Sequence, residues 1–272
     1  MKDIKQITEQ LESGVKCVFD SARYQQYLAF MGKFHHYSIN NSILIWLQNP
    51  DATLVAGYKA WGEKFNRQVR KGEKGITILA PCPHKHVKQI VDADGNVEER
   101  EISYVTYRPC TVFDISQTDG EDVPSICNEL IGDIENFDNL YDKLIMISPV
   151  PVEYEDITDG AFGYYSHDLN AIRIKSGMSQ MQTLKTLIHE IAHAILHSRD
   201  NGEEKGANRV AREVQAESVA YTVCTMMGLD TSGYSFEYVA GWSTGRDVKE
   251  LVASIEVIRK TAQRIYDGLT SC

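Results

Sequence analysis

The sequence predicts an α+β chain of two domains, and three observations carry that expectation. Apolar residues recur at helical spacing through residues 3–48 and then switch to alternation across 76–115. A polar stretch, Ser116 to Pro124, separates this part from a second half that returns to helical spacing. In that half, a hairpin pattern at 163–174 stands just before the longest apolar helical runs. At 272 residues there is room for two domains. The expected division is 1–118, N-terminal helices with a small antiparallel sheet, and 125–272.

The elements follow in order. Ile4, Ile7, Leu11 and Val15, then Tyr24, Tyr27, Leu28 and Met31, give two helices over 3–34, with Gly14 and Asp20-Ser21 as punctuation and cap. Asn41 to Gln48 is a third helix, stopped by Asn49-Pro50. Thr53-Leu54-Val55 reads as a short strand. Four alternating strands follow at 76–79, 87–91, 102–107 and 111–113, with Asp94-Gly95-Asn96 as a turn. Past the polar linker come a helix over 125–144, a strand over 152–154, the 163–174 hairpin, and helices over 186–197, 208–227 and 247–266. The last carries Val248, Leu251, Ile255, Ile258, Ala262 and Ile265 on one stripe, a packing face.

Chemistry concentrates in Thr186 to His197, which contains His189-Glu190-Ile191-Ala192-His193 without glycine or proline. Residues four apart share a helix face, so His189 and His193 can point ring nitrogens at one ion. Glu190, one residue on, is placed to work on a water rather than to bind the metal. Zinc held this way keeps an open position and acidifies bound water. A third ligand is needed, and Glu213 and Glu217 fall four apart on the 208–227 helix. His197 extends the histidine row; capping the helix end is its expected role, with a fourth ligand or a transition-state contact as the alternative.

The twenty positions between His193 and Glu213 resemble the spacing of thermolysin-like gluzincins. That resemblance implies a zincin-like metallopeptidase domain with Zn2+ on His189, His193 and Glu213, and with Glu217 orienting a zinc histidine. The exchange, Glu217 as ligand, stays open because one helical turn separates the two. Zincins commonly run an edge strand beside the active-site helix, which an extended peptide substrate can join. Tyr165 or His167 on the hairpin could then reach the oxyanion, although covering the core is the commoner role for either.

In the first half, Lys59 to Lys74 holds six basic residues against two acidic ones, and Gly72 and Gly75 bracket Glu73-Lys74. Tyr37, Trp46, Tyr58, Trp61 and Phe65 interleave nearby. Cations for phosphates plus rings for bases suit single-stranded nucleic acid, although a solvated loop beside a core tryptophan has the same composition. Three motifs, His36 to Ile45, Gly57-Tyr58-Lys59-Ala60-Trp61 and Val69-Arg70-Lys71-Gly72-Glu73-Lys74-Gly75, resemble the N-terminal domain of ArdC-type antirestriction proteins. The second half resembles the ImmA/IrrE-like zinc peptidase domain joined to it. The family implies single-stranded DNA as partner, with Tyr37, Asn41, Trp46, Lys59, Trp61, Arg67, Arg70, Lys71 and Lys74 as contact candidates. The expected function is a single-stranded-DNA-binding zinc metallopeptidase of a mobile element, acting on a protein or peptide substrate. The competing expectation is a non-proteolytic DNA-binding or DNA-mimicking decoy with structural or vestigial zinc.

Totals set the outer bounds. The net charge of −10 is unevenly spread: residues 1–115 hold 15 Lys+Arg against 13 Asp+Glu (+2), the rest 13 against 25 (−12). No stretch has the apolar length to span a bilayer, and the charged start Met-Lys-Asp-Ile-Lys-Gln does not read as a signal peptide. Six cysteines without a Cys-x-x-Cys pair point to reduced thiols and a cytoplasmic setting. Cys82, His84, His86 and Cys110 could form a second metal site, but core cysteines and exposed histidines on a strand are far commoner.

Overall fold

The computed structural model describes residues 4–34, 36–91, 97–123, 137–158, 160–198, 209–229, 231, 234, 236 and 239–271. In chain order these form α1 (Ile4–Val18), α2 (Ser21–Lys33), α3 (Ile39–Gln48), β1 (Val55–Gly57), α4 (Tyr58–Phe65), β2 (Arg67–Val69), β3 (Ile76–Val91), β4 (Val97–Asp114), a 3-10 turn at Ile115–Gln117 and β5 (Thr118–Gly120). There follow α5 (Phe137–Ile147), β6 (Val152–Glu155), β7 (Gly163–Ser166), β8 (Ala171–Lys175), α6 (Gln180–Leu196), α7 (Arg209–Met226), α8 (Val239–Ser243) and α9 (Val248–Thr270). The fold class is α+β, as expected. Contacts divide the chain into two units: Met1–Ser13 with Ile43–Asp122, and Gly14–Ser42 with Val123–Cys272. Residues 14–42, which the expected division assigns to the first domain, group with the second unit.

In the first unit, two long strands replace the four expected. β3 and β4 pair antiparallel without interruption from Ile76↔Val112 to Val91↔Val97, and β1 joins β4 only at its end, Gly57↔Val112 to Val55↔Asp114. β3 accommodates Pro81 and Pro83 because it lies at the sheet edge, where a residue without N–H costs no ladder bond. The polar Thr118–Gly120 is not linker but β5, paired with β2. Arg67 fastens it: Nε donates to Thr118 Oγ1 at 2.7 Å, and the guanidinium reaches the Thr118, Gly120 and Glu121 carbonyls. Buried Asp114 accepts from the backbone N–H groups of Thr53, Leu54 and Ser116, tying the 53–54 segment and the following 3-10 turn to one carboxylate. The Gln48 side chain pairs with both backbone groups of Thr77, at 2.9 and 3.0 Å, and docks α3 on β3.

The second unit has a three-stranded sheet in the order β6-β8-β7, with β6 parallel and β7 antiparallel to β8. The 163–174 hairpin is therefore present, with Asn170 in the left-handed region at its turn. α6 packs on β7, β8 and α7, and α7 packs on α9 and α2. Ser179 starts α6 by accepting from the Gln182 N–H at 3.2 Å, and Asp247 does the same for α9. Apolar side chains of these helices, among them Leu187, Ile191, Val214, Val219, Ile255 and Ile258, are fully buried. Gly14 lies inside α1, and the break between α1 and α2 falls at Phe19-Asp20. The Asp94-Gly95-Asn96 turn, residues 125–136 of the expected helix and Arg199 to Gly202 lie outside the described residues. Among those described, no helix is long and apolar enough to cross a membrane.

Candidate metal centre

α6 enters the core with Leu187, Ile188, Ile191 and Ala192 buried, which fixes its rotation and turns His189 and His193 toward α7. One turn apart, their Nε2 atoms approach to 3.0 Å. Glu213 on α7 meets them from the other side, with Oε2 3.6 Å from each Nε2. The three ligand atoms lie within 4.8 Å of one another, and this is the one such cluster among the described residues. Glu217 takes a different place: its Oε2 is 3.1 Å from His189 Nδ1. A carboxylate on Nδ1 holds that nitrogen as the donor and leaves Nε2 its lone pair for a cation. Two imidazoles and one carboxylate converging from two helices can hold one divalent ion with a position to spare.

Electrostatics agree with that geometry. Burial works against charge on His189, but Glu213 and Glu217 more than offset it and lift the imidazole to about 10. Hydrogen bonds from His189 and then His193 hold Glu213 well below the usual carboxylate range. Glu190 is more deeply buried than these carboxylates, at 6% exposure, and burial raises its carboxyl against the pull of both histidines. Its carboxylate accepts the backbone N–H of Tyr165, so β7 positions the acid by main chain.

β7 can do so because Gly163 lets it lie close on α6. A Cβ at Gly163 would sit 2.7 Å from Thr186 Cγ2 and 2.9 Å from the Arg173 carbonyl oxygen. Gly163→Ala is therefore expected to destabilise the protein by about 1–3 kcal/mol, measured by urea unfolding.

The remaining candidates divide. The Tyr165 hydroxyl donates to Asn170 Oδ1 at 3.1 Å and its ring packs edge-on to His167. His197 closes α6: its backbone N–H reaches the His193 carbonyl and its buried ring lies beside that of His193. Of the nine nucleic-acid candidates, Trp61 is fully buried with its indole N–H on the Phe113 carbonyl, and Asn41 and Trp46 are buried too. These rings have no face to offer a base, because each fills the core its own helix covers. Arg67 is spent on β5, and Arg70 on Glu73, Asp119 and the Ser116 carbonyl. Lys59, Lys71 and Lys74 are exposed, and Tyr37 is half-buried against Phe34. Arg67, Arg70, Lys71 and Asp119 line an open cleft of about 650 Å³. The Cys82–Cys110 metal site does not form: Cys82 pairs with Thr106, Cys110 with Ile78, and both are free thiols. What sequence reasoning missed is the main-chain support of Glu190 and a set of exposed rings on the β3–β4 ribbon.

Comparison with known proteins now has a geometry to meet. Residues 3–113 match the N-terminal domain of anti-restriction factor ArdC, and residues 147–227 match the IrrE N-terminal-like domain, a peptidase family. An uncharacterized protein of Bacillus anthracis is 27% identical across 98% of this chain, which spans about half (51%) of that relative's length. The metal-free crystal structure of antirestriction protein ArdC from plasmid R388 superposes with a TM-score of 0.55 at 22% identity, covering 86% of this chain and 85% of that one. The Mn(II)-bound structure of the same protein gives 0.53 at 21% identity, with 86% of each chain covered. The likeness shows a shared fold.

Proposed function

We propose that this ArdC-like chain, an ArdC-type N-terminal domain followed by an IrrE-type domain, is a single-stranded-DNA-binding zinc metallopeptidase. Its role would be protection of incoming DNA of a mobile genetic element, or cleavage of a DNA-bound regulator. The observation that carries the peptidase part is the convergence of His189, His193 and Glu213, with Glu190 buried beside them and held by β7. His189, His193 and Glu213 would hold the ion, and Glu217 would keep His189 in the ligating tautomer. The donor set suits zinc, which when bound supplies Lewis-acid polarisation of a carbonyl and acidification of water. Glu190 takes a proton from the attacking water and returns it to the leaving amine. β7 is the edge strand of its sheet, the position at which an extended peptide can pair by main chain. Since ArdC of R388 is seen with Mn(II), reconstitution should compare the two metals.

Support for DNA binding comes from exposed Lys59, Lys71 and Lys74, of which Lys71 lines the basic cleft with Arg67 and Arg70. The second half's charge of −12 favours one other reading, a decoy that imitates DNA and cuts nothing. One variant separates them. Glu190→Gln is expected to keep one metal per chain while peptide cleavage falls by about 10²–10⁴-fold. Protection of incoming DNA by Glu190→Gln at the wild-type level would favour the decoy, and undiminished cleavage would remove the mechanism.

A further inference from the structure

The β3–β4 ribbon outgrows its sheet. β1 accompanies it only as far as Val112, and beyond that point residues 102–108 and 83–86 are exposed on both faces. A two-stranded ribbon alone is marginal in water, and this one also exposes Ile102, Tyr104, Val105 and Tyr107 at 41%, 52%, 51% and 57%. Such apolar exposure marks a contact surface. Its charge names the partner: the exposed stretches 83–86 and 102–108 hold Lys85 and Arg108 and no Asp or Glu, while Glu98, Glu99 and Glu101 of β4 pair further along the ribbon, opposite Ile90, Gln89 and Val87. Strand alternation puts His84, His86, Ile102, Tyr104 and Arg108 on one face, through the pairs His86↔Ile102, His84↔Tyr104 and Ala80↔Arg108. On that face the His84 and Tyr104 rings stack, centroids 5.1 Å apart and planes 19° from parallel, with His84 Nε2 pinned 2.7 Å from Thr106 Oγ1. Pinned rings lose little freedom when a base stacks on them.

We infer that this face of the ribbon is the base-stacking surface for single-stranded nucleic acid, with bases on the His84–Tyr104 pair and Arg108 on a phosphate. It supplies the rings that buried Trp46 and Trp61 cannot. Arg108 lies four residues along β4 from Tyr104, about 13 Å at strand rise, so a short run of nucleotides spans the two. The inference rests on the DNA-binding function proposed above, and its test separates the two.

The test uses the full chain and a fluorescent thirty-nucleotide oligo-dT, read by anisotropy over a range of salt. His84→Ala/Tyr104→Ala is expected to weaken binding about tenfold or more with the salt slope unchanged, and Tyr104→Trp to keep it. Arg108→Ala is expected to lower the slope by roughly one, as is Lys71→Ala in the basic cleft. Wild-type binding that the double variant matches, slope and affinity alike, overturns the ribbon inference and leaves the DNA-binding function standing. No binding by wild type overturns both. A double variant that binds normally but no longer self-associates in sedimentation would make the ribbon a contact between copies, which also overturns the inference.

Discussion

Residues 125–272 expressed by themselves are expected neither to fold cooperatively nor to hold metal. The reason lies in α2, which packs on α7, the helix that carries Glu213 and Glu217. Tyr24, Tyr27 and Leu28 are fully buried and Met31 nearly so. Tyr24 shares a 2.8 Å hydrogen bond with Ser218, one residue past Glu217. Further along, Gly32 lies so close to α7 that a Cβ there would stand 3.0 Å from Met226 Cγ. Tyr24 also meets Phe236 edge-on, and Phe19 packs on Trp242. Losing one large core side chain costs about 3–5 kcal/mol, and a whole domain is stable by only about 5–15 kcal/mol. Removing the helix strips several at once. Circular-dichroism melting and metal content of the fragment against the full chain decide the matter; a sharp melt with one metal per fragment would contradict the packing argument.

The second large effect distinguishes two carboxylates one turn apart. Glu213→Ala is expected to lose stoichiometric metal, because its Oε2 is the atom facing both Nε2 groups. Glu217→Ala is expected to weaken metal binding by about 10–100-fold without abolishing it, the usual cost of removing a residue that orients a ligand. Metal content after dialysis against a graded chelator measures both, and the reverse order would make Glu217 the ligand. pH enters with a definite sign. Burial opposes charge on His189, but its two carboxylates hold it protonated up to about 10, so an incoming cation must displace that proton. Metal affinity is therefore expected to fall as pH is lowered.

Much of the metal centre was legible because its signal is local. The four-residue spacing of His189 and His193 is a property of any helix, and Glu213 and Glu217 follow on the next one. The part played by α2 was not, since Tyr24 and Ser218 lie 194 positions apart and neither neighbourhood announces the other. Three of the nucleic-acid candidates, Asn41, Trp46 and Trp61, lie buried for another reason. A tryptophan among lysines has the same sequence whether its ring faces water or core, and Trp61 goes inward because Phe113 offers its carbonyl. In the sequence His84 reads only as a possible metal ligand and Tyr104 only as a strand residue, and Pro81 and Pro83 fall between the strands expected at 76–79 and 87–91. Only the edge position of β3 makes those prolines harmless.

The contact between β7 and Glu190 has a consequence for how this site tolerates change. What steadies Glu190, the proposed general base, is an amide that every residue except proline brings to position 165. The tyrosine there is thus released from that duty, and its ring answers to Asn170 and His167. Sequence drift at 165 can change the ring that meets Asn170 and His167 while the main-chain support of Glu190 stays constant.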